Sequence, residues 1–229
     1  MKEKIVLVTG ASGGLGVSAT QAFLDAGATV IGTSRKIKQS DFKGPNFTAI
    51  PADISTREGA KDLVDQVLAR FSNLDVLAHT VGGFAGGQSV VEIDDATFQR
   101  MLDLNLNSVF HILGAAVPAL RKSASGRIIA IGSRAALEPG ANVGAYSASK
   151  AAMVSLVQTV ALENKDAALT ANVILPGTMD TPANRKAMPD ADFAKWVRPA
   201  TVASLMVWLA GDAGRDVNGA VIPVYGGDV

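Results

Sequence analysis

Short, almost wholly apolar runs recur along the chain at Ile5–Thr9, Thr29–Thr33, Phe47–Pro51, Val76–Val81, Arg127–Ile131, Thr170–Leu175 and Val221–Val224. Helical stretches are expected near Leu15–Ala26, Glu58–Phe71, Ala96–Lys122, Ala145–Asn164 and Ala200–Gly211. A strand that is apolar on both sides has to be covered on both faces, as in a parallel sheet between two helical layers. This alternation predicts right-handed βαβ units and an α/β fold: a single domain with a doubly wound parallel sheet of about seven strands and helices on both faces. Two stretches stay irregular, Gly82–Gly87 and Pro176–Pro199. In such folds, irregular segments after strands carry the ligand chemistry.

Composition narrows the chemistry. Lys plus Arg and Asp plus Glu are each 21, so nothing in the balance draws the chain to nucleic acid or an anionic membrane. There is no Cys and there are only two His, which excludes disulfides and thiolate chemistry and leaves little for a metal; none is expected. Four apolar residues, Ile5 to Val8, are too few for a signal-peptide core, and Ala151–Leu162 is short of the ~20 residues that span a bilayer. The expectation is a cytoplasmic protein.

The first strand ends in Thr9-Gly10-Ala11-Ser12-Gly13-Gly14-Leu15-Gly16, and a helix follows. Glycines let backbone approach a pyrophosphate, and a helix amino end offers N–H groups with partial positive charge. An ordinary tight connection is the competing reading, weakened by the position between strand one and helix one. The second strand ends in Thr33-Ser34-Arg35-Lys36, with no carboxylate to accept the ribose hydroxyls. Ser34 can donate, and Arg35 offers a planar fork to a 2′-phosphate, so NADP(H) is favoured over NAD(H); the alternative is a solvated basic turn.

Tyr146-Ser147-Ala148-Ser149-Lys150 places a phenol and an ammonium one helical turn apart on one face. A phenol near pKa 10 exchanges protons poorly, and a neighbouring cation favours its phenolate. Alone, this spacing is often a snorkelling Lys beside a half-buried Tyr. Here Ser133 lies at the end of a predicted strand thirteen residues upstream, and Asn105 interrupts an apolar helix, where an amide costs stability unless bonded.

The TGxxxGxG turn, the YxxxK pair, Ser133, Asn105 and Pro176-Gly177-Thr178-Met179-Asp180-Thr181 together resemble the short-chain dehydrogenase/reductase family over nearly the whole chain. The resemblance implies one Rossmann-type domain over residues 1–229 with a substrate lid near 176–199. It implies Asn105, Ser133, Tyr146 and Lys150 as catalytic groups, with Asn105 supporting a water in the proton relay. It implies cofactor contacts from Gly10, Ser12, Gly14, Leu15, Gly16, Ser34, Arg35, Asp53, Ile54, Gly82, Pro176, Gly177, Thr178 and Thr181, besides Tyr146 and Lys150. Asp53, taken alone, is equally a helix cap. Phe84 and Met179 are expected at the substrate wall, and a homotetramer or homodimer through Ala96–Lys122 and Ala145–Asn164 is implied.

The chain departs from the family where many members carry NNAG. It has His79-Thr80-Val81-Gly82, so His79 reads as a structural substitute and His111 as a satisfied core or interface residue. Val81–Gly87 and Asp180–Phe193 are similar to dihydropteridine reductases, whereas Arg35 and Ser133 are not. Three activities follow: reduction of a small carbonyl compound, reduction of a quinonoid dihydropterin, or an NADP(H)-sensing module without turnover. Ser133, Tyr146 and Lys150 argue against the last. A serine hydrolase is excluded, because Ile131-Gly132-Ser133-Arg134-Ala135 is no GxSxG elbow.

Overall fold

The computed structural model describes residues 1–227. Seven parallel strands form one sheet in the order β3-β2-β1-β4-β5-β6-β7. They are β1 (Ile5–Thr9), β2 (Thr29–Thr33), β3 (Phe47–Ala49), β4 (Val76–His79), β5 (Gly126–Ile131), β6 (Leu169–Pro176) and β7 (Val221–Val224). Helices α1 (Gly14–Asp25) and α7 (Pro199–Ala210) cover one face, where Val6, Val8, Phe23, Ile129, Ile174 and Met206 share a core. Helices α2 (Arg57–Phe71), α4 (Ser108–Leu120) and α5 (Gly144–Glu163) cover the other, around Leu7, Leu63, Leu77, Ile112, Ile128 and Met153. Strand order reverses between β1 and β4, which opens a crevice at their carboxyl ends.

Two expected elements differ. The single helix over Ala96–Lys122 is α3 (Asp95–Leu102) and α4, joined by a π-helical turn at Asp103–Asn107. Apolar periodicity runs through this joint, so the extra residue is invisible to it, and π-turns concentrate where a side chain has to be re-aimed. Segment 176–199 is not wholly irregular either. Thr181 accepts a hydrogen bond from the Asn184 N–H, Pro182 takes the first helical position, and α6 (Pro182–Ala187) results. Among the described residues no helix is long and apolar enough to cross a membrane, and no cluster of three or more His, Asp or Glu could hold a metal.

His79, at the end of β4, is 1% exposed and shares a hydrogen bond of 2.8 Å between its Nδ1 and the Thr9 hydroxyl. That confirms a structural tie between β1 and β4, but Nε2 has no partner. His111 is not satisfied either: its Nδ1 is buried without one. Burial, followed by the Lys150 charge, pushes the His79 pKa down to about 3. Between about pH 6.5 and 3 the unfolded chain therefore binds a proton that the folded chain refuses, so stability falls as pH falls. One such site contributes a slope of about 1.4 kcal/mol per pH unit within that window. Denaturant midpoints measured from pH 7 to pH 4 should fall less steeply for His79→Asn than for the parent; equal slopes would contradict a buried neutral imidazole.

Candidate active site

A cleft of about 1250 Å³ opens at the carboxyl ends of the strands. One wall is the turn after β1. Gly10 takes φ +76°, which L side chains rarely adopt, and a Cβ there would lie 2.8 Å from the Thr80 hydroxyl. The Gly13 N–H closes the turn on the Gly10 carbonyl at 2.8 Å. No side chain caps α1 and no acidic residue lies in its first turn, so its leading N–H groups stay open to an anion. Ser12, Gly14, Leu15 and Gly16 line the cleft, facing Pro176, Gly177, Thr178, Met179 and Thr181. A Cβ on Gly14 would stand 2.8 Å from the Thr181 methyl. This is a backbone cradle that side chains would fill, and it fits the pyrophosphate of a dinucleotide.

Other expected cofactor residues lie behind or beside the cleft. Ser34 shares a hydroxyl–hydroxyl hydrogen bond of 2.8 Å with Ser12, which carries the end of β2 to the cradle's edge. Arg35 is exposed and stands near enough to act electrostatically on Asp53. Asp53 does not cap α2; Thr56 does. The Asp53 carboxylate instead accepts from the Ser55 N–H at 3.0 Å, and this contact leads in holding its pKa below the ordinary value. Ile54 is 6% exposed and packed in the core, so only its backbone could reach a ligand.

The catalytic candidates converge. Lys150, 5% exposed, crosses from α5 to the end of β5, and its ammonium donates to the Ile131 carbonyl at 2.9 Å. Burial lowers its pKa to about 8. Ser133 follows two residues after Ile131, and its hydroxyl bonds the Tyr146 phenol. The expected lowering of the phenol pKa does not hold. Burial raises it, with the Ser133 bond pulling the other way, because a phenolate in this partly dry site loses more hydration than its neighbours return. Phe84 stands edge-on to Tyr146, ring centroids 5.0 Å apart at 72°, and is 68% exposed toward the cleft it lines.

Asn105 does not line the cleft. Fully buried in the π-turn, it donates to the Gly83 carbonyl at 3.0 Å and to the Ser149 hydroxyl at 3.1 Å, and it accepts from the Gly83 N–H at 2.9 Å. Its side chain thus clamps the turn after β4 to α5. Gly82 threads the gap: a Cβ there would lie 3.0 Å from both Asn105 Oδ1 and Lys150 Nζ. The sequence reading missed Thr80, Arg134, Glu138, Val143 and Met188, all lining the cleft. Only Val143 carried a usable signal, one helical turn before Tyr146.

A family model for short chain dehydrogenases matches residues 4–192. A 3-oxoacyl-[acyl-carrier-protein] reductase of rhamnolipid biosynthesis from Pseudomonas aeruginosa is 34% identical over 245 residues, spanning 98% of this chain and 95% of that protein. Among solved structures, a blue fluorescent protein from a metagenomic library in complex with NADPH superposes with a TM-score of 0.87 at 28% identity, covering 99% of this chain and 98% of the other. A Brucella melitensis 3-ketoacyl-(acyl-carrier-protein) reductase complexed with NADH shares the fold, with a TM-score of 0.86 at 23% identity, covering 99% and 98% of the two chains. The match across residues 4–192 and the near-complete overlap with the Pseudomonas relative establish that this chain belongs to the short-chain dehydrogenase family of oxidoreductases.

Proposed function

We propose that the protein is an NADP(H)-dependent reductase that interconverts a small carbonyl compound and its alcohol. The observation that carries this reading is the meeting of Ser133, Tyr146 and Lys150 at one end of a cleft whose other wall is the glycine cradle. When bound there, a nicotinamide supplies or takes up the hydride. Tyr146 gives its phenolic proton to the carbonyl oxygen as the carbon receives the hydride, and it takes that proton back in the reverse direction. Ser133 holds the oxygen beside the phenol. Lys150, its ammonium anchored on the Ile131 carbonyl, would hold the ribose. The lid closes over the reactants and keeps water out.

The protonation states favour reduction near neutrality. A phenol with a raised pKa stays a proton donor, and Lys150 keeps its charge below about pH 8. Carbonyl reduction should therefore be flat toward acid and decline as pH rises through about 8, while alcohol oxidation, which needs the phenolate, should climb with pH below about 8. Rate profiles in the two directions check this; an oxidation rate that falls with pH in that range would contradict it.

Ser34 and Arg35 at the end of β2 support NADP(H), because a guanidinium pairs with a 2′-phosphate and a carboxylate there would repel it. Arg35→Asp should lower kcat/KM for NADPH by at least about tenfold, the equivalent of ~1.4 kcal/mol, and leave NADH unchanged or improved. An unchanged NADPH to NADH ratio would remove Arg35 from cofactor choice. The test of the whole reading is oxidation of NADPH across a panel of ketones and aldehydes. Phe84, edge-on to the phenol, favours a second substrate, a flat quinonoid dihydropterin that stacks on its ring. Turnover of that compound in the same assay decides between the two. The implied oligomer would pair α4 and α5, where Phe110 and Leu162 are exposed.

A further inference from the structure

At the opposite end of the sheet from the cleft, where β5 and β6 begin, lies a separate cavity of about 360 Å³. Arg127 on β5 and Thr170 on β6 are register partners, so their side chains stand side by side on one face of the sheet. Both line the cavity, and both are more than nine-tenths buried, at 5% and 7% exposure. The Arg127 guanidinium donates through Nη1 to the Gly126 carbonyl at 2.7 Å and the Ala168 carbonyl at 3.4 Å. Its Nε has no partner, and neither has the Thr170 hydroxyl. Two adjacent buried donors without acceptors are costly, and native structures rarely keep them unless something completes them.

The charge around them has a sign. Lys165 and Arg215 stand at the rim, so the lining holds three cations against one carboxylate, Asp216. Asp216 lies 3.5 Å from the Arg215 side chain in an exposed pair, so part of its charge is answered there. Asp212 and Asp216 act on Arg127 through space only; no ion pair to Arg127 forms among the described residues. Arg127, Lys165 and Arg215 bring guanidinium and ammonium donors to a lining that also holds Asn218, and a guanidinium is a planar fork suited to paired oxygens. The volume is at the small end of ligand sites, far below what a dinucleotide needs.

We propose that this cavity is a second ligand site, distinct from the nicotinamide cleft, that binds a small oxyanion (a phosphate or a carboxylate) between Arg127, Thr170, Lys165 and Arg215. Calorimetric titration of the full chain with inorganic phosphate, and separately with malonate, tests it. Saturable binding with Kd at or below about 1 mM is expected for at least one of the two, and which one identifies the source. The double variant Lys165→Ala/Arg215→Ala changes only exposed side chains and should weaken that binding at least about tenfold. Thr170→Val keeps the shape and removes an orphaned hydroxyl, so it should melt no lower than the parent without ligand, yet lose affinity about tenfold. Binding that is equal in the parent and both variants would place the anion elsewhere and overturn the proposal, as would the absence of saturation with either anion.

Discussion

Tyr146→Phe should abolish most turnover while the cofactor still binds with its parental affinity. Phe keeps the ring that packs edge-on against Phe84 and removes only the hydroxyl bonded to Ser133. What is lost is a positioned proton donor, an effect of about 10²–10⁴-fold on rate. Fluorescence titration with NADPH and initial rates with a carbonyl substrate separate the two properties. A variant that loses both has lost its fold rather than its acid. A variant that keeps near-normal turnover would transfer the proton-donor role to another group, and the account of the site would fail there.

Gly16→Ala should instead damage cofactor binding, and for a steric reason. A Cβ at this position would fall 2.0 Å from the Gly10 carbonyl oxygen and 2.9 Å from the Ala11 Cα. Both obstacles are backbone, and the Gly10 carbonyl is already fixed by the Gly13 N–H. Neither can give way without opening the turn. Overpacking of this kind costs about 1–3 kcal/mol of stability. The open turn would also misplace the N–H groups of α1, so affinity for NADPH should fall at least about a hundredfold, ~2.8 kcal/mol. By contrast, Gly87→Ala adds a side chain where no atom lies within 4 Å, at a residue away from the cleft lining, and should leave affinity intact despite its positive φ. Equal losses in the two variants would show that the cradle's close approach is not what matters.

Much of this was legible in the residues. Strands β1, β2 and β7 fall where their apolar runs predict, because β-branched residues bounded by turns leave little choice. Tyr146 and Lys150 share a helix face as their spacing predicts, and Ser133 joins them at the end of β5 where the family resemblance places a serine. Other features depend on atoms far apart in sequence. The π-turn around Asn105 is fixed by bonds to Gly83 and Ser149, which no local pattern encodes. The raised phenol pKa depends on how deeply α5 is packed, and sequence spacing sees the ammonium but not the burial. That Arg127 and Thr170 stand side by side is likewise a matter of strand register, which no local pattern encodes.

Tyr146 is proposed to deliver a proton to the carbonyl oxygen in a hydride-transfer reaction. NADPH carrying deuterium at both C4 positions of the nicotinamide, reacted with a carbonyl compound that the parent protein turns over, follows the hydride to its carbon. Deuterium is expected at the new carbinol carbon with the parent protein and almost none with Tyr146→Phe over the same time. Product without label, or equal labelling by both proteins, would contradict it.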